Sequence, residues 1–169
     1  MAVSDETKAI AEAKKKAGNE AFAKKDLDEA LRLYSEAIEL DPSSYIYRSN
    51  RSACYALQGN HEKAKEEAEA CIRINPDFIK GYYRLATAQT DMGEIDAALE
   101  TVKTGLGRDP SKMFLSQTKE DITAMLDGKQ EDKSKSEAQL MSKQSYLQSR
   151  LASEQSNLEE IIKNIQAQA

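Results

Sequence analysis

The chain contains three prolines, Pro42, Pro76 and Pro110, and they stand 34 residues apart. Ala30, Ala64 and Ala98 keep the same interval, as do Gly59 and Gly93. A fixed period of this length constrains the fold more than any other feature. Each unit is one supersecondary element that cannot bury its own apolar face, so copies must stack to make a continuous core. The reading is therefore all-α: three helix–turn–helix repeats, at 11–44, 45–78 and 79–112.

The residues inside each unit agree with this. In the first, Ala17, Gly18, Ala21 and Phe22 recur at helical spacing. After the turn Lys25-Asp26-Leu27-Asp28, a second helix carries Ala30, Leu33, Tyr34, Ala37 and Ile38, an i, i+3, i+4, i+7, i+8 apolar stripe. In the later repeats the turn is marked by Gly59-Asn60 and Gly93-Glu94. Small residues at 30, 64 and 98 let paired helices approach closely. Each proline follows Asp or Asn and belongs in the turn between units or at the start of the next helix, because a helix interior tolerates it poorly.

An uncovered last repeat needs a cap, and 111–127, with Phe114, Leu115, Ile122, Met125 and Leu126, reads as a capping helix. With it, residues 1–127 form one repeat domain. The polar run 128–135, GKQEDKSK, reads as a linker by composition. The remainder, 136–169, lacks Gly and Pro and fits a heptad: Leu151, Leu158 and Ile165 at a, Leu140, Leu147 and Ile161 at d. Gln144 and Glu154 fall on the same seam and weaken it. A coiled-coil helix follows, with self-association or an unlike helix as its partner. Ending at Ala169 without a stop signal, it reads as open to continuation into a further domain.

Net charge is −5 with both signs interspersed, which argues against bulk attraction to nucleic acid or an anionic membrane. No run approaches the roughly 18 apolar residues that a spanning helix needs, and Met1–Lys8 has no apolar signal core. These features read as a soluble cytosolic or nuclear protein, with cytoplasmic as the default. Cys54 and Cys71 occupy small-residue positions and read as buried, inert thiols rather than a disulfide framework. His61 sits after the Gly59-Asn60 turn, where packing is the simpler role. No phosphate loop or nucleophile elbow occurs, and the neighbouring carboxylates Glu66-Glu67 and Glu159-Glu160 point in different directions on helices. The expectation is no enzyme, no metal and no cofactor.

The polar residues on the first helix of each repeat are more specific. Lys15 and Asn19 are four apart, as are Lys80 and Arg84, so each pair shares a helical face. Asn50 and Arg84 differ by 34 and hold equivalent places in successive repeats. Three cations and two amides can converge on one side of the stack, where lysine and arginine give charge-assisted donors and asparagine gives an amide N–H without charge. Such a set suits a peptide terminus bearing two carboxylates.

Residues 11–112 resemble tetratricopeptide repeats, by small, aromatic, Gly, Ala and Pro positions recurring in register three times. The resemblance implies a right-handed superhelical stack with the first helix of each repeat on the concave face. Lys15, Asn19, Asn50, Lys80 and Arg84 also match the dicarboxylate clamp of co-chaperone members of that family. It implies a partner, the C-terminal Glu-Glu-Val-Asp tail of heat-shock chaperones of the seventy- and ninety-kilodalton classes. Lys15, Asn19 and Asn50 would hold the terminal aspartate, Lys80 and Arg84 its side chain and upstream groups, and Phe22 and Ala53 the penultimate valine. The other function open to the chain is that of a general scaffold acting through the coiled coil.

Overall fold

A computed structural model describes residues 3–167, with side chains described through residue 149 except those at 113, 114 and 147, and again at 152. Among the described residues there are seven helices and no strand: α1 (Asp5–Ala23), α2 (Leu27–Leu40), α3 (Tyr45–Leu57), α4 (His61–Ile74), α5 (Ile79–Asp91), α6 (Ile95–Arg108) and α7 (Met113–Ala167). Helices α1–α2, α3–α4 and α5–α6 form the three pairs, and each pair packs on the next.

The period of the sequence maps onto recurrent local chemistry. Ala30, Ala64 and Ala98 are each wholly buried where the helices of a pair meet. Asp26 and Asn60 cap α2 and α4 by accepting the backbone N–H of Glu29 and Lys63. At the other end of each second helix, Asp41, Asn75 and Asp109 accept the N–H two residues on, at 3.2, 3.1 and 3.0 Å. This Asx turn encloses the proline, so Pro42, Pro76 and Pro110 lie in the inter-repeat turn. The intra-repeat turn needs a left-handed residue at positions 25, 59 and 93. Gly59 and Gly93 take it at φ 77° and 78°, while Lys25 is driven to φ 61°.

Gly18 earns its place by contact. A Cβ there would stand 2.7 Å from Cε1 of Tyr34, a ring 2% exposed. The last core cluster joins Ile79, Ala86, Ile95, Ala98 and Val102 to Leu115 and Ile122 of α7, so the start of α7 covers the third pair. Phe114, also expected on this cap, lies outside the described side chains.

One compact unit ends at Leu126, and a second begins at Asp127. The linker expected at 128–135 is instead helix: α7 runs through it without a break. Polarity was a poor guide here. Lys, Gln and Glu are good helix formers, Gly128 weakens the stretch most, by about 1 kcal/mol, and no proline interrupts it. An i, i+4 pair between Lys135 and Glu131, at 3.8 Å, adds a little support. Of the heptad positions, Leu140 is exposed, as is its neighbour Met141. Leu147, Leu151, Leu158, Ile161 and Ile165 lie outside the described side chains.

Candidate peptide-carboxylate site

The five polar residues lie on α1, α3 and α5, the first helix of each pair. The centre of the site is a hydrogen-bonded amide pair. Asn19 Oδ1 accepts from the Tyr34 hydroxyl at 2.7 Å and from Asn50 Nδ2 at 3.1 Å. Both acceptor positions of that oxygen are thereby used, and the Asn19 NH2 is left to donate elsewhere. Of the two asparagines, awkward inside helices on propensity grounds, Asn19 is held by a buried tyrosine of α2 and Asn50 by Asn19. Sequence reasoning placed Tyr34 in the apolar stripe and missed this role. No pattern within one helix signals it, because the seat of Tyr34 on Gly18 is a contact between α1 and α2.

Asn19, Asn50 and Arg84 line a cavity of about 130 Å³ together with Phe22, Ala53 and Tyr34. Arg84 also lines a second cavity, of about 410 Å³, whose walls include Lys80 and Tyr83 and, from α7, Gln117, Thr118 and Asp121. The structure thus brings Asn19, Asn50, Arg84, Phe22 and Ala53 to one hollow and joins Lys80 to it through Arg84. Lys15 stands one turn before Asn19 but is not on the cavity wall. It pairs with Glu12, whose other oxygen accepts from Tyr47 at 3.5 Å. Neither Glu12 nor the α7 residues were singled out by sequence. Glu12 was an ordinary surface acid, and α7 lies outside the repeat, so no register points to its groove face.

Arg84 is the most electrostatically unsettled group here. Its Nε is buried without a hydrogen-bond partner, and it forms no ion pair among the described residues. Its guanidinium lies 5.7 Å from the Tyr83 ring centre. Burial lowers its pKa, opposed by Tyr83 and Cys54, yet a guanidinium stays charged at neutral pH. A half-buried cation of this kind favours an anionic ligand. Lys80 is exposed and likewise unpaired among the described residues.

The neighbouring residues divide as their spacing implies. Arg48 and Arg51 turn away from the hollow, and both reach Glu67 of α4. Burial pushes the Cys54 and Cys71 thiols up to about 11, which leaves them protonated and unreactive. His61 does more than pack: its Nδ1 lies 3.3 Å from Asp91 Oδ2. Among the described residues, no cluster of His, Cys, Asp or Glu could hold a metal, and no helix is long and apolar enough to cross a membrane.

Two family models described as tetratricopeptide repeat match residues 15–77 and 55–114. The chain is 38% identical over 114 residues to the heat-shock protein cognate (HSC) co-chaperone sgt12 of Aspergillus fumigatus, covering 64% of this chain and 33% of that protein. It spans about a third or less of the length of the curated relatives it matches. Among solved structures it resembles the Sgt2 TPR domain from Aspergillus fumigatus, at 30% identity and TM-score 0.70, over 77% of this chain and 85% of that one. It also resembles the TPR2B domain of yeast Sti1 in its pHsp70 complex, at 28% identity and TM-score 0.67, over 69% and 98% of the two chains. Periodicity, helix pairing and these matches agree: the chain belongs to the tetratricopeptide-repeat family.

Proposed function

We propose that this chain is a non-enzymatic, cytoplasmic adaptor that holds the acidic C-terminal Glu-Glu-Val-Asp tail of a heat-shock chaperone by a dicarboxylate clamp. The observation that carries the reading is the hollow in which unpaired Arg84 meets the oriented Asn19–Asn50 amide pair. Lys15, Asn19 and Asn50 take the terminal aspartate. Lys80 and Arg84 take its side chain and the acids before it. Phe22 and Ala53, on the wall of the same hollow, receive the valine. The relatives support this choice of partner, since they include a heat-shock cognate co-chaperone and a domain complexed with pHsp70.

Charge-assisted hydrogen bonds contribute roughly 1.5–3 kcal/mol each, offset largely by ordering the peptide. Low-micromolar affinity, about −8 kcal/mol, is the expected balance, weakening with salt. Calorimetric titration with a Glu-Glu-Val-Asp peptide tests it. Lys15→Ala or Arg84→Ala lowers affinity at least about tenfold, and amidating the peptide terminus weakens binding too. Wild-type affinity in either variant would refute the clamp.

The exposure of Leu140 and Met141 on α7 favours a second reading, in which 136–169 pairs with a like or unlike helix and the repeats serve as a scaffold. Sedimentation of the chain with and without 129–169 separates the two. A tail-dependent dimer indifferent to chaperone peptides supports the scaffold.

A further inference from the structure

The candidate groove continues past Lys80, and its electrostatic sign reverses. The cavity shared by Lys80 and Arg84 has Tyr83, Thr118 and Asp121 in common with a third cavity, of about 190 Å³. That third cavity is completed by Thr87, Thr90 and Asp91 of α5 and by Ile122 and Met125 of α7. It contains two carboxylates and no cation.

Two hydroxyls of this end present acceptors as well. Thr87 and Thr90 donate their hydroxyl protons to the carbonyls of Tyr83 and Ala86, at 2.9 and 2.8 Å, which leaves oxygen lone pairs to face a ligand. Asp91 is partly met by His61, 3.3 Å away, to the extent that the imidazole is protonated. Asp121 Oδ1 accepts from the neutral amide of Gln117 at 3.1 Å, and no ion pair among the described residues neutralises its charge. Met125 is 49% exposed, and with Ile122 it offers an apolar wall beside these acceptors.

We infer that this end of the groove, between α5 and α7, is a subsite for a basic side chain that precedes the acidic terminus of the bound peptide. The inference rests on the clamp reading, which anchors the terminus at α1 and α3 and sends the upstream chain past α5. A lysine or arginine fits both halves of the wall, with its alkyl stem along Met125 and Ile122 and its charged head at Asp121. An acidic residue at the same place meets like charge. The groove is thus polarised, cationic where the terminus binds and anionic further upstream, and this polarity sets both peptide direction and choice among tails that share the same last four residues.

Fluorescence anisotropy with labelled peptides ending in Glu-Glu-Val-Asp tests the inference, with Arg, Ala or Asp placed at the fifth, sixth or seventh residue from the end. At one of these positions Arg binds about three- to fivefold tighter than Ala, the range of a partly exposed ion pair, and Asp binds more weakly than Ala. Asp121→Asn erases the difference between the Arg and Ala peptides. Indifference at all three positions, with the Ala peptide still bound, overturns the subsite and leaves the clamp standing. An Arg preference that survives Asp121→Asn overturns it too. Failure of every peptide to bind overturns the clamp, and the subsite with it.

Discussion

Arg84 separates binding from stability in opposite directions. Replacing it with Met keeps the alkyl stem and removes the guanidinium. In the free protein the buried Nε has no partner, and an unmet buried donor costs about 1–3 kcal/mol. The guanidinium regains part of this from the Tyr83 ring, 5.7 Å away, about 0.5–1 kcal/mol for such a contact. The difference leaves the free Arg84→Met protein more stable than wild type by about 1 kcal/mol. The effect does not depend on pH near neutrality, because a guanidinium stays charged even with its pKa lowered by burial. Binding changes the other way. Losing one charge-assisted contact of about 1.5–3 kcal/mol lowers affinity for a Glu-Glu-Val-Asp peptide by about ten- to a hundredfold. Urea unfolding gives the first quantity and calorimetry the second. A variant that is less stable than wild type and binds normally would refute the reasoning, since Arg84 would then be a structural residue satisfied by the fold.

Three further outcomes follow from the geometry. Gly18→Ala places a methyl 2.7 Å from a Tyr34 ring that is buried and tied to Asn19, so it lowers stability by about 1–3 kcal/mol, and it weakens peptide binding by disturbing the Asn19 amide; an unchanged thermal melt contradicts this. Lys25→Gly puts at φ 61° the residue that the other two repeats already use there, and raises stability by about 0.5–1 kcal/mol in the same melt; a loss of stability would mean that Lys25 is held by something other than the turn. Burial raises the Cys54 and Cys71 thiols from the ordinary 9 to about 11, so their contribution to stability is complete below pH 9 and is lost from there to about pH 11, where the unfolded chain has released protons that the native one retains; Cys54→Ala should flatten this fall in urea melts, and a variant that falls as steeply as wild type sinks the linkage.

How much was legible depends on whether a residue belongs to the repeat. Ala30, Ala64 and Ala98, the inter-repeat prolines and the pairing of α1 to α6 were readable because each is stated three times, and a coincidence does not recur in register. The same logic placed Asn50 and Arg84 in equivalent positions before any geometry was known. Tyr34 was legible only by half. Its apolar spacing announced a core residue, but the direction of its hydroxyl is set by the close approach of Gly18, a contact between two helices that no single-helix pattern encodes. Glu12 shows a different limit, since an i, i+3 acid beside a lysine is common on exposed helices, and its hold on Lys15 acquires meaning only beside the groove.

Helix α7 was legible as a cap at its start, and the rest of it was not. Leu115 and Ile122 announce its capping face, but it stands outside the period, so no register marks the polar residues beside that face, and Gln117, Thr118 and Asp121 read as solvated surface. Its polar middle looked like a linker, because composition was read where helix propensity decides. Gln, Glu and Lys are disfavoured in a core but comfortable in a helix exposed on all sides, and one glycine is too small a penalty to stop propagation once a helix is nucleated. The nucleus is packed: Leu115 and Ile122 are buried against the third pair, and from there each added residue gains a backbone hydrogen bond at little cost. The burial that caps the repeats is therefore also what seats the start of α7 and places Asp121 on the groove wall. Weakening that packing, as Leu115→Ala would, should loosen the α5–α7 cavities while sparing the Asn19–Asn50 pair, whose support comes from Tyr34 on another helix.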